Sequence, residues 1–164
     1  MRNGLINKSC CFTGHRPCKL GIEWSKVKEL LEEEIDGAIS DGYVTFITGM
    51  AMGTDILAAE IIIERKKHNN NLRLVCALPH PNFDSRRNAE EKIRFNKIIE
   101  NSDIIEEVNN HCFRGCYQIR NEWMVNHSSL VIAVFNGQKG GTKNTIDYAK
   151  NHGVIVHNVL KNII

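Results

Sequence analysis

Six short apolar runs alternate along the 164-residue chain with longer segments whose apolar residues recur at helical spacing, and no other feature narrows the fold as much. The runs are SCCFTG (9–14), YVTFIT (43–48), LRLVCAL (72–78), SDIIEEV (102–108), SLVIAVFN (129–136) and VIVHNV (154–159). Between the first two, residues 23–42 carry Trp24, Val27, Leu30, Leu31, Ile35, Ala38 and Ile39 on one helical face. Residues 53–67, 84–101, 116–128 and 142–153 read as further helices, the last with Gly153 as its stop. Strands separated by helices need crossover connections, and crossovers make neighbouring strands parallel. Most of the runs are apolar almost throughout, as strands buried on both faces must be. The pattern predicts one α/β domain over 1–164, Rossmann-like and doubly wound. It has a mainly parallel sheet of about six strands with helices on both faces. No linker, internal repeat or low-complexity segment interrupts it.

Hydrophobic residues make up 42% of the chain, charged residues 24%, and the formal net charge is +2. So small an excess gives no bulk attraction to nucleic acid or to a membrane surface. The opening MRNGLINKS lacks an apolar core of signal-peptide length, and no run reaches the ~20 apolar residues of a membrane span. A cytoplasmic location is expected, with no membrane partner. Six cysteines are then expected to stay reduced. Cys10, Cys11 and Cys76 fall inside strands as small hydrophobes. His111, Cys112 and Cys116 form the one close polar cluster of metal-ligating types. A zinc knuckle usually needs two such pairs, so this cluster is read as no metal centre.

Ligands of open α/β sheets bind outside the carboxyl ends of the strands, near the reversal of strand order. That rule gathers a candidate site from distant segments. The first strand delivers Thr13, Gly14, His15 and Arg16. The second delivers TGMAMGTD (48–55), with Gly49, Met50, Gly53, Thr54 and Asp55. The third delivers Pro79 and His80. The fifth delivers Asn136 and Gly137, followed by Gly140, Gly141 and Thr142. A helix N-terminus offers unpaired N–H groups and a partial positive charge to phosphate or carboxylate, and glycine lets the anion approach them. Arg16 adds a planar fork for the same groups. Each residue also has a purely structural reading. Gly49 and Gly53 can serve a tight turn and close packing, and Thr54 and Asp55 can cap a helix. The first turn, TGHRP, has one glycine, so the usual GxGxxG dinucleotide fingerprint is missing, and no GxxxxGK[ST] phosphate loop occurs. Neither an ordinary NAD-dependent dehydrogenase nor a P-loop ATPase is supported.

Four separated motifs, in order, carry a family resemblance: TGHRP, GMAMGTDILAAE, RNEWMVNHSSLVIAVFNG and GGTKNTIDYA. They resemble the YpsA family of the SLOG superfamily, named for the Smf/DprA and Lonely-guy proteins, over most of residues 9–158. The resemblance implies a Rossmann-like domain, homodimeric by analogy, that binds or senses a nucleotide-derived ligand such as ADP-ribose, NAD or a nucleoside phosphate. No certain cofactor follows from it. In that reading Gly49, Gly53, Gly140, Gly141 and Thr142 cradle phosphate, Asp55 meets ribose hydroxyls, and Arg16 and Arg120 pair with charge. From the residues alone Arg120, beside Asn121 on a helix, reads as solvent-facing; the resemblance implies a place at the pocket. TGMAMGTD is similar to the DprA pattern, which implies the alternative of single-stranded nucleic-acid binding, although no basic stripe with interleaved aromatics is present. GGT is similar to the Lonely-guy motif, which implies the alternative of a hydrolase or transferase acting on an N-glycosidic bond, with Asp55 as its catalytic carboxylate. Lys143, Asn144 and Thr145 stand where those enzymes present a glutamate, and Asn144 cannot exchange a proton as a carboxylate does. The charged helix at 84–101 reads as a solvated face, and the resemblance implies an aromatic there, a place that Phe95 fills.

Overall fold

The structure, a computed structural model, describes residues 6–161. Part of the N-terminal stretch on which the signal-peptide reading rests lies outside the described residues. The six strands are β1 (Ser9–Gly14), β2 (Thr45–Thr48), β3 (Arg73–Leu78), β4 (Ile104–Glu107), β5 (Leu130–Val134) and β6 (Ile155–Asn158). They form one sheet in the order β4-β3-β2-β1-β5-β6, and every neighbouring pair is parallel. Five helices connect them: α1 (Trp24–Ser40), α2 (Thr54–Lys66), α3 (Ala89–Asn101), α4 (Cys116–Asn126) and α5 (Gly141–Asn151). The strand order runs outward from β1 to β4 on one side and restarts at β5 on the other. The switch point therefore lies between β1 and β5, where Cys10 pairs with Leu130 and Gly14 with Val134.

Alternation along each strand sorts side chains to the two faces. Phe12, Phe46, Leu74 and Ile132 pack with Leu31 and Ile35 of α1, Ile56 and Ile62 of α2, and Phe95 and Ile98 of α3. Their neighbours Cys11, Ile47, Val75 and Val131 pack with Met124 and Val125 of α4 and Ala149 of α5. Three helices thus cover one face and two the other. Cys10, Cys11 and Cys76 are buried as expected, and burial pushes the thiols of Cys11 and Cys76 up to about 12.

One boundary differs in a way that matters. The charged helix expected from residue 84 begins at Ala89, because Asn88 and Glu91 form a reciprocal capping box. Residues 84–88 are freed as a turn, and Arg87 leaves the solvated face to which the sequence assigned it. No helix among the described residues is long and apolar enough to cross a membrane.

Candidate functional site

The strand ends converge on a buried charge cluster that no single segment contains. Asp55, in the first turn of α2, is 7% exposed, and Arg120 of α4 is 4% exposed. Arg120 is therefore not the solvent-facing arginine that helical spacing alone suggests. Its Nη1 donates to the carbonyls of Gly49 and of Ala77, the latter at 3.2 Å. Its Nε donates to Asn121 Oδ1 at 2.9 Å, which holds the fork in place. Asp55 Oδ2 accepts from the Ala51 N–H at 3.2 Å. Gly49 separates the two charges. A Cβ at that position would lie 2.8 Å from Asp55 Oδ2 and 2.9 Å from Arg120 Nη1. Only glycine leaves room for both, so this glycine serves the charge pair.

Arg87 completes the cluster from the turn before α3. Its Nη2 donates to the Met50 carbonyl, and its guanidinium sits 5.0 Å from the centre of Phe83 and 4.8 Å from that of Phe95. Arg120 lies 5.6 Å from the same Phe83 ring. Phe95, the aromatic that the resemblance implies, is 5% exposed and packs into the core, where it supports Arg87. Burial raises the Asp55 carboxyl to about 6, although Arg120, the Ala51 N–H, Arg87 and the Gly49 N–H all favour its ionised form. Burial also lowers Arg87 and Arg120 from the usual guanidinium value, and Asp55 opposes this in both.

The 48–55 loop is held under tension above this cluster. Met50 adopts φ 60°, a left-handed conformation costly for a side chain of its size, by about 1–3 kcal/mol. Thr48 Oγ1 fixes it by accepting from the Met50 N–H at 3.2 Å while donating to the Asp55 carbonyl at 2.9 Å. Gly53 has φ 96°, and its missing Cβ lets the loop approach Pro17, Arg16 and the His15 carbonyl.

The glycines divide by task. A Cβ on Gly14 would meet Thr54 Cβ at 2.6 Å and Thr54 Cγ2 at 2.8 Å, so this position serves the contact of β1 with α2. Gly14→Ala is expected to cost about 3 kcal/mol, at the upper end of overpacking, and chemical denaturation checks it. Gly140 and Gly141 have no atom within 4 Å of the Cβ position, and no side chain caps α5. Gly140 is required by its backbone, at φ 147°, whereas Gly141 has neither a packing nor a conformational need and leaves the helix terminus open. The Thr142 side chain is buried, while Thr145 Oγ1 donates to the Gly141 carbonyl at 2.9 Å.

The remaining expected residues fall into two groups. Thr13, Gly14, His15 and Thr54 are brought together at the switch point, with Thr54 Oγ1 3.5 Å from the His15 carbonyl. His15 extends the β1–β5 ladder by donating its N–H to Val134 at 3.0 Å, and its ring tilts against Phe135. Its Nε2 is buried without a hydrogen-bond partner among the described residues, as is Arg87 Nε. Burial, and then the charge of Lys19, lower the His15 pKa, which favours the neutral ring. Asn136 proves to be a brace: its amide donates to the Lys19 carbonyl at 2.7 Å and its Oδ1 accepts from the Gln138 N–H. Arg16 is exposed just after the end of β1.

Sequence reasoning missed Arg87 and Phe83. The capping box at Asn88 and Glu91 was the available signal, since it ends the helix just after Arg87. His111 stands against Phe113 on the surface and does not join Cys112 and Cys116; His80 does. A groove of about 300 Å³ lined by Glu34, Ala38, Tyr43, Leu130 and His157 lies at the opposite, amino edge of the sheet. It contains none of the convergent glycine-rich turns, and the switch-point edge remains the candidate site.

Comparison with known proteins agrees with this fold. The YpsA family model, described as the YspA SLOG family, matches residues 10–157, as the resemblance implied. The uncharacterized SPbeta prophage-derived protein YoqJ of Bacillus subtilis (strain 168) is 31% identical over 138 residues, covering 76% of this chain and 81% of that protein. The X-ray structure of TM1055 has a TM-score of 0.60 at 16% identity, covering 91% of this chain and 72% of that one. DNA processing protein A from Helicobacter pylori, described for its single-stranded DNA binding mode, has a TM-score of 0.61 at 19% identity. That match covers 94% of this chain but 66% of the Helicobacter chain, so the present chain spans just under two thirds of its length. At these identities the two solved structures establish the fold alone.

Proposed function

This chain belongs to the YspA SLOG family, and on that premise we propose that it binds a nucleotide-derived anion such as ADP-ribose, NAD or a nucleoside phosphate at the β1–β5 switch point. The observation that carries the reading is the open, uncapped start of α5 at Gly140 and Gly141, next to the switch point. Unpaired N–H groups at a helix start attract phosphate, and nothing fills the space a Cβ would take there. The buried, unpartnered His15 Nε2 nearby in the fold supplies a second polar group for a ligand. In this reading Arg16 pairs with ligand charge, while Asp55, Arg87 and Arg120 hold the 48–55 loop in its strained shape. The protein acts in the cytoplasm, as a homodimer by family likeness.

Thermal shift with ADP-ribose, NAD, nucleoside mono- and diphosphates and a short oligonucleotide tests the reading. A ligand at ~100 times its Kd adds ~2.7 kcal/mol to stability, a rise of several degrees in Tm. Gly141→Ala is expected to fold normally, because its site is open and its φ is not left-handed, yet to lose the shift. No shift with any nucleotide would sink the proposal. A shift with the oligonucleotide alone, falling steeply with salt, would replace it by nucleic-acid binding.

One observation favours a second reading, cleavage of the ligand's N-glycosidic bond. Asp55 has a carboxyl at about 6, close to the pH at which a general acid or base works well. Consumption of the ligand, abolished by Asp55→Asn while binding persists, would establish turnover in place of sensing.

A further inference from the structure

We propose that His80, Cys112 and Cys116 form a binding site for a thiophilic divalent cation of the zinc class. The His80 follows β3, while Cys112 and Cys116 lie in the loop after β4 and at the first position of α4. Their ligand atoms all lie within 4.8 Å of one another. Tetrahedral zinc with bonds of ~2.3 Å to sulfur and ~2.0 Å to nitrogen spaces its donors at roughly 3.5–3.8 Å. Side-chain adjustment of about 1 Å therefore closes the set. Two thiolates and an imidazole are a borderline-soft donor set that selects zinc over magnesium or calcium.

The surroundings look built for the task. Asn109 ties together the two segments that carry the ligands. Its Nδ2 donates to the Pro79 carbonyl at 2.9 Å, next to His80, and to the Cys116 carbonyl at 3.3 Å. The Cys116 N–H closes a turn onto Phe113 at 3.1 Å, which folds Cys112 back toward Cys116. His80 is 7% exposed, and its ring makes no side-chain hydrogen bond among the described residues. Its ring is held instead by Phe83 and Tyr117, at centroid distances of 5.9 and 6.2 Å. A buried imidazole held by aromatics and lacking a polar partner keeps a nitrogen available to a metal. Binding replaces two S–H bonds by two metal–sulfur bonds and releases two protons to solvent, while His80 binds as neutral imidazole. The net charge of the filled site is zero. Three protein ligands leave a fourth position for water or an exogenous ligand, and Cys116 stands one helical turn before Arg120.

Co²⁺ titration of the full chain under a non-thiol reductant tests this. One equivalent is expected to produce sulfur-to-cobalt charge-transfer absorption, which Zn²⁺ then displaces. Cys112→Ser, at an exposed position, is expected to fold and to lose that absorption. Asn109→Ala is expected to weaken Co²⁺ binding by about 10–100-fold, the range for residues that orient metal ligands. Cys18→Ser, an exposed thiol elsewhere, is expected to change nothing. Failure to take up Co²⁺ under the reductant, or a band that survives Cys112→Ser, would overturn the proposal. Neither result bears on nucleotide binding, which the thermal-shift panel tests separately.

Discussion

Arg120→Met is expected to destabilise the protein by about 3–5 kcal/mol at pH 8, the usual cost of removing one partner from a buried charge pair. The guanidinium serves the Gly49 and Ala77 carbonyls and the charge of Asp55 at once. Methionine fills similar space and leaves all three without it. The cost should shrink as the pH falls, because Asp55 without Arg120 takes up a proton even more readily than at its present value of about 6. Asp55→Asn in the Arg120→Met background should recover part of the loss, through a coupling of about 0.5–3 kcal/mol. Urea denaturation of the four proteins in the cycle provides the numbers, provided that the m-value holds. Additive effects would show that Arg120 and Asp55 are not coupled, and that the arginine is retained for the Gly49 and Ala77 carbonyls.

Asp55→Asn by itself is expected to stabilise the protein above pH 6. The folded-state carboxyl is raised from the usual 3.8 to about 6, so the folded chain binds this proton more tightly than the unfolded chain does. Wild-type stability from this group is therefore present below about pH 4 and is lost as the pH rises to about 6. The shift corresponds to about 3 kcal/mol, and asparagine, which does not titrate, escapes the loss. The variant should match wild type near pH 4 and melt several degrees higher at pH 8. Scanning calorimetry at both pH values distinguishes this from the opposite result. Destabilisation at pH 8 would mean that the pairing with Arg120 outweighs burial. A buried carboxylate kept at a net cost fits a site shaped for a ligand better than one shaped for stability.

Both predictions concern residues whose partners are far away in the chain, and that separation marks where sequence reading stops. The six strands were legible because alternation and apolar runs are local signals. SLVIAVFN could be read as buried without knowing its neighbours. The switch-point edge was legible for a related reason, since a parallel sheet sends every strand's carboxyl end to the same side. Gly140 and Gly141 were correctly placed at a helix start. Arg120 was misjudged from spacing, because helical periodicity says which residues share a face and not what that face meets. Arg87 was lost because its helix was begun too early, and Phe95, which the resemblance implied as the aromatic of that helix, buttresses Arg87.

Residue order alone set the α/β alternation, the parallel sheet and the convergence of glycine-rich turns at one edge. Each follows from the covalent order of residues and the two periodicities of the backbone. Which glycine makes room for a protein side chain, and which leaves open space, depends on packing in three dimensions. Gly14 and Gly49 meet Thr54, Asp55 and Arg120, whereas Gly141 meets nothing. Packing also decided that Asp55 and Arg120 share one buried site, and that His80 and not His111 stands with Cys112 and Cys116. These are contacts between segments tens of residues apart, set by strand order and by the way each helix packs on the sheet, and a linear pattern carries no distance between such segments.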